Sequence, residues 1–131
     1  MTIRGTGEEA YDNFAMSVQY NPFDSVTTAF SMPIMNVPGK NITSLLVDYP
    51  PGEKAPAHRH GSAFVICYVL SGELRSQMEG EPARIYKKGE HFIEAPGAHH
   101  LIAENASQDQ NCKVLAVIIH DTSEENVVEY D

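Results

Sequence analysis

Two of the six histidines stand one residue apart, at His58 and His60, and His100 follows forty positions after the second of them. Side chains on a strand alternate faces with a period of two, so His58 and His60 point the same way, with Arg59 between them facing the other. Their Cα atoms would lie about 6.5–7 Å apart, a span that two imidazoles can close around one ion at metal–nitrogen distances of about 2.0–2.1 Å. A third donor has to come from elsewhere. The run Gly89-Glu-His-Phe-Ile-Glu-Ala-Pro-Gly97-Ala-His99-His100 reads as a strand, a Pro-Gly turn and a histidine opening the next strand. Such a turn reverses the chain and can return His100 to the same interior face. A His-x-His pair alone is an ordinary feature of strands; it is the second segment that makes the pair an expected metal site. His99 and His100 are neighbours on a strand, so only one can face inward, and His99 is expected at the barrel mouth or surface. His120, at the end of the last regular strand, is expected to be structural, and Arg59 to pair with a carboxylate at the surface or a subunit contact.

The elements that must position these side chains are short and β-patterned. Phe14–Tyr20, Val26–Met32, Ile42–Tyr49, Ala63–Leu70, Glu73–Met78, Ala83–Lys87, His91–Ala95, His100–Glu104 and Lys113–His120 are each rich in β-branched, aromatic or alternating apolar residues. No segment has a convincing helical period. The breaks, among them Pro50-Pro51-Gly52, Ser71-Gly72, Lys88-Gly89 and Ala95-Pro96-Gly97, carry residues that fix φ or let it be positive. This rhythm predicts an all-β, antiparallel jelly-roll barrel that closes on itself and hides most of its edges. The expected division is a 1–41 extension, a 42–120 barrel core and a 121–131 tail, in one domain. The two ends fall outside the regular rhythm and are expected to extend the sheets or reach across to a second subunit.

Composition narrows the function classes. The 131 residues, 42% hydrophobic and 21% charged, suit one soluble globular domain. A net charge of −9, from 18 acidic and 9 basic residues, repels phosphate backbones, so nucleic acid is not an expected partner. No apolar run approaches the roughly 20 residues that span a bilayer, so no membrane association is expected. The start, Met1-Thr2-Ile3-Arg4-Gly5 followed by Glu8 and Glu9, lacks the basic and apolar stretches of a secretory signal, and the expected location is cytoplasmic. Cys67 and Cys112 show no metal or redox spacing and are expected to be free thiols, with Cys67 acting as a small buried hydrophobe.

The two histidine segments resemble the two motifs of the cupin superfamily. The first motif, a glycine, five residues, His-x-His, then a glutamate and a closing glycine, is matched by Gly52, His58, His60 and Gly72. The second is matched by Gly89, Gly97 and His100, with Pro96 and Asn105 each one place later than the motif has them. The resemblance covers about residues 42 to 119 and implies a small single-domain cupin, a jelly roll holding one divalent metal on His58, His60 and His100. It departs from the family where seven residues before Gly72 the chain has Val65 in place of the metal-binding glutamate. Either three imidazoles hold the ion with two or three positions open, or another side chain supplies the fourth ligand. Gln77, Glu94 and His91 are the candidates, and Glu94 and His91 sit on opposite faces of one strand. For these last two a solvated or structural role is the stronger expectation.

Three neutral ligands would leave a divalent ion its full charge and favour a small anionic or chelating substrate. Adjacent open positions suit a metal that holds a substrate oxygen and dioxygen together, or polarises a carbonyl as a Lewis acid. Fe2+ is the first expectation by resemblance, with Mn2+, Zn2+, Ni2+ or Cu2+ compatible. The expected pocket is apolar, lined by Val65, Cys67 and Phe92 or Ile93. The leading expectation is an oxidoreductase of the dioxygenase type; the alternatives are an isomerase, lyase or decarboxylase with a proton shuttle such as Glu94, and a non-catalytic small-molecule or metal-binding protein. Family resemblance further implies a homodimer.

Overall fold

The computed structural model describes residues 26–124 and 128–131. The expected strand Phe14–Tyr20 lies outside the described residues. Eleven strands and no helix are present among those described: β1 (Val26–Pro33), β2 (Lys40–Tyr49), β3 (Lys54–Ala55), β4 (His58–Arg59), β5 (Phe64–Ser71), β6 (Glu73–Met78), β7 (Arg84–Lys87), β8 (His91–Glu94), β9 (His99–Asn105), β10 (Cys112–Asp121) and β11 (Glu129–Tyr130). No helix among them is long and apolar enough to cross a membrane.

Two antiparallel sheets face each other. One runs in the order β1-β2-β10-β5-β8, the other β11-β4-β9-β6-β7, with β3 also paired to β9. The expected jelly-roll barrel is what forms. Period-two alternation selects the inner side chains: Leu45 on β2, Val65, Cys67 and Val69 on β5, Leu74 on β6, Phe92 on β8, Ala103 on β9, and Val114 and Ile118 on β10 are all buried in one core. Among the described residues, the segments flanking the barrel core add to the sheets. Strand β1 pairs along β2 from Val26↔Val47 to Pro33↔Asn41, and β11 pairs with β4 through Glu129↔Arg59 and Tyr130↔His58.

Chain reversals rest on a few glycines with positive φ. Gly72, between β5 and β6, has φ +79°, and a Cβ placed there would lie 2.3 Å from the Asn111 carbonyl oxygen and 2.8 Å from the Cys112 Cα. Only a residue without a side chain lets the β5–β6 hairpin close against the start of β10. At the same end of the barrel Asn105 fastens the loops, its Nδ2 donating to the carbonyls of Tyr49 (2.8 Å) and Gln110 (2.7 Å) while its Oδ1 accepts from the Ser107 amide.

The outer face of the first sheet is unusually apolar. Cross-strand register lines up Met32 with Ile42, Ile42 with Ile119 and Ile119 with Phe64, and in the next rows Val117 with Ile66 and Ile66 with Ile93. Phe30, Met32, Tyr68 and Ile93, on the same side, are 40–50% exposed. Antiparallel sheets ordinarily show water a polar outer face.

Candidate metal centre

Strand β4 is only two residues long, so His60 lies just past its end, where the chain turns at Gly61. The expectation of one strand carrying both histidines is corrected to that extent, yet His58 and His60 both turn inward and are each 8% exposed while Arg59 faces out. Antiparallel pairing sets His58 directly opposite His100, the latter 3% exposed on β9. The ring centroids of His58 lie 4.8 Å from His60 and 5.0 Å from His100. The residues that sequence spacing joined are thus brought to one place.

Between them stands Glu94. It ends β8, is 2% exposed, and its Oε1 lies 3.2 Å from His100 Nδ1, 3.3 Å from His60 Nε2 and 3.7 Å from His58 Nε2. The candidate ligand atoms of His58, Glu94 and His100 all fall within 4.8 Å of one another. Two of them, Glu94 Oε1 and His100 Nδ1, are buried with no hydrogen-bond partner. His58 Nδ1–H donates to the Pro56 carbonyl (2.9 Å), which leaves its Nε2 as a lone pair turned to the carboxylate. Unshared pairs so close repel one another unless a proton or a metal cation stands between them. Donors held about 2.0–2.2 Å from one ion are themselves about 2.8–3.6 Å apart at ordinary coordination angles; the Glu94 contacts to His100 and His60 fall in that range, and the contact to His58, at 3.7 Å, lies just outside it. The cluster therefore fits a divalent metal.

The surroundings tune these groups. Burial first, and then the neighbouring His60, pushes His58 down to about 4, so the ring is neutral at pH 7 and its lone pair available. Burial acts to raise the Glu94 carboxyl, but the adjacent His100 and His60 rings outweigh it and hold it well below the ordinary carboxylate range. Cys67 donates its thiol hydrogen to Glu94 Oε2 (3.3 Å); burial, and then the nearby carboxylate, pushes the thiol up, so it stays protonated. Ser76 Oγ lies 2.7 Å from His100 Nε2 and can accept its N–H, fixing the ring with Nδ1 toward Glu94.

A cavity of about 70 Å3 opens onto this cluster. Its described wall is mostly apolar, including Leu45, Val47, Cys67, Phe92, Val114, Ile118 and Val128, with Tyr49 and Tyr130 as polar-tipped members. A single water needs roughly 10–15 Å3, so the described cavity has room for several waters or one small molecule.

Residues 45–118 match the family model for the Cupin domain. The chain belongs to the cupin family. Solved structures similar to it include an uncharacterised conserved protein with a double-stranded β-helix domain from Klebsiella pneumoniae, at 17% identity and a TM-score of 0.61, covering 75% of this chain and 77% of that one. A DMSP lyase from Ruegeria pomeroyi matches at 24% identity and a TM-score of 0.60, covering 78% of this chain and 50% of that one. An oxalate oxidase in complex with the substrate analogue glycolate matches at 22% and 0.61, covering 81% and 54%. These similarities show the fold. No curated protein sequence matches significantly.

In this cupin several expected positions are corrected by strand parity. Gln77 points away from the cavity: on β6 it is Leu74 and Ser76 that face inward, and the Gln77 amide donates to the Glu81 carbonyl (2.9 Å). Parity on β8 likewise turns His91 and Ile93 to the exterior and Phe92 and Glu94 to the interior, so Glu94 is not solvated. Cys67 and Phe92 line the cavity as expected, whereas Val65 is fully buried on the same inner face without being among the lining residues. His99 lies at the surface, its two ring nitrogens 2.9 Å from Glu79 and from Asp131. Arg59 donates to the Gly97 carbonyl (2.9 Å) and stands 3.9 Å from Glu79. His120 is structural, with Nδ1–H donating to the Asp121 carbonyl and Nε2 accepting from the Thr43 hydroxyl (2.9 Å). Both cysteines are free.

Ser76 was not legible from sequence as part of the site; its signal is an inward position one strand from His100. Ser76→Ala should leave the fold intact and weaken metal affinity about 10–100-fold, the usual effect of removing a group that orients a ligand, as read by competition with a chromophoric chelator.

Acid should destabilise the metal-free protein. His58 and His120 are held below their unfolded value of about 6.5, both by burial first, so as pH falls through 6.5 toward 4 the unfolded chain takes up protons that the folded chain refuses. Their contribution is present above pH 6.5 and drains away across that window. Exposed His99 runs the other way, raised by its bonds to Glu79 and Asp131, with a small contribution present below 6.5 that fades at higher pH. Urea midpoints of the metal-free protein should fall steadily from pH 6.5 to 4.5; an unchanged midpoint would show that the buried rings are already protonated at neutrality.

Proposed function

We propose that the protein is a metal-dependent oxidoreductase of the dioxygenase type, acting on a small oxygenated organic anion. The reading rests on one observation: three imidazoles surround a buried carboxylate at 3.2–3.7 Å within an apolar cavity. His58, His60, His100 and Glu94 would hold the ion, with Fe2+ first and Mn2+, Zn2+, Ni2+ or Cu2+ compatible with the same donors. A bound metal would supply open positions for substrate and dioxygen and would draw the substrate in as an enolate, phenolate or carboxylate. With Glu94 in the set, a divalent ion keeps about one unit of positive charge rather than two, still enough to favour an anion.

Other members of the described wall are poor proton acceptors. Burial pushes the Tyr49 hydroxyl and the Cys67 thiol well above their ordinary values, so both stay protonated. Glu94 is committed to the histidines. A lyase or isomerase would need a base of its own, and this favours redox chemistry at the ion. Oxygen uptake by the iron-loaded protein across small enolisable and phenolic compounds tests the reading. Uptake with at least one is expected; turnover that persists without oxygen would transfer the site to the lyase class, and absence of both would leave a binding protein.

We also propose that the protein is a homodimer, seated on the apolar outer face of the five-stranded sheet. An apolar surface of that extent is a common mark of an interface, and a net charge of −9 leaves few other attractive surfaces for a second copy. Sedimentation equilibrium should give twice the chain mass, and Ile66→Lys should reduce it to the chain mass.

A further inference from the structure

The glutamate that the first cupin segment lacks has a substitute directly across the sheet. Val65 occupies the motif position, and the register of β5 against β8 pairs Val65 with Glu94. Directly opposed residues of an antiparallel pair share one face, with Cβ atoms about 4.5–5.5 Å apart, less than the combined reach of two glutamate side chains extended toward a common point. Both are buried in the barrel, Val65 at 0% and Glu94 at 2% exposure. A carboxylate based at either position can therefore reach the same point.

We propose that Glu94 takes the place of the missing motif glutamate in this cupin, so that positions 65 and 94 are interchangeable seats for one metal-binding carboxylate. The inference rests on the metal site proposed above and deepens it. The change of seat moves the base of the ligand by one strand spacing, about 4.8 Å, while leaving its head among the same rings. It also places the second carboxylate oxygen beside Cys67, which follows Val65 by two residues on the same inner face and donates to that oxygen. The Glu94 oxygen that faces the rings lies 3.2–3.7 Å from their nitrogens without a hydrogen bond of ordinary geometry. A carboxylate present only for structure would be expected to have both oxygens satisfied.

The test compares wild type, E94V, E94Q and V65E/E94V as metal-free proteins titrated calorimetrically with Co2+, with circular dichroism and thermal unfolding as checks on folding. Wild type should bind one ion tightly. E94V and the near-isosteric E94Q should each lose at least about 100-fold in affinity, the upper end of what even outer partners of a metal ligand contribute. V65E/E94V keeps the summed side-chain volume and should recover to within about tenfold of wild type. Recovery in the double variant supports interchangeability. A double variant that binds no better than E94V, or that fails to fold where E94Q folds, overturns interchangeability while wild-type binding keeps the site. Wild type that binds no Co2+ removes the site and interchangeability together.

Discussion

Saturating the metal-free protein with a divalent ion should raise its melting temperature by about 10–20 °C. At free metal a thousandfold above Kd, binding to the folded state alone adds about 4 kcal/mol, and for a domain of this size each kcal/mol moves the midpoint by roughly 3–5 °C. The molecular reason is that the folded cluster has unmet needs. Glu94 Oε1 and His100 Nδ1 are buried without partners, and ion binding satisfies both at once. His100→Ala should abolish most of the shift, because it removes the ligand that pairs with His58 across the β4–β9 ladder. Scanning calorimetry with and without added metal and chelator gives the result directly; a midpoint indifferent to Fe2+, Zn2+ and Co2+ alike would sink the metal reading.

The second large effect belongs to the hairpin that turns β5 into β6. Gly72→Ala should destabilise the protein by about 2–5 kcal/mol, combining about 1–2 for a side chain at positive φ with about 1–3 for forced displacement of packed neighbours. The obstacles are backbone atoms of Asn111 and Cys112, which cannot swing aside as a side chain could. Chemical denaturation should show the loss, whereas the same substitution at Gly80, with φ +89° and nothing within 4 Å of a Cβ, should cost only the backbone strain. Equal losses at the two sites would mean that the approach of β10 to the hairpin is looser than described.

Most of the fold could be read from the chain because period-two burial and glycine or proline turns act locally. Glu73–Met78 was expected to the residue, and β2, β5, β9 and β10 differ only by an end residue or two. The short strands β3, β4 and β11 were not legible, since two residues carry no period and their pairing depends on distant partners. For the same reason His58 and His60 were placed on one strand, although His60 already belongs to the turn. The convergence of His58, His60 and His100 followed from parity and turn chemistry. The place of Glu94 did not, because its role is set by which strand lies beside which: β8 sits next to β5, and nothing in linear order says so. Gln77 was weighed as a ligand when its inward neighbour Ser76 was the residue touching His100, a one-residue error of parity that strand patterns without a bounding turn cannot resolve.

Strand β11 has a practical consequence for anyone handling the protein. Tyr130 lies opposite His58, with ring centroids 5.9 Å apart, and the Asp131 amide donates to the Ala57 carbonyl while its carboxylate accepts from His99. A purification handle or reporter attached after Asp131 would hang beside the cavity that Tyr130 lines, and a polyhistidine tag there would set a competing chelator close to the histidine cluster.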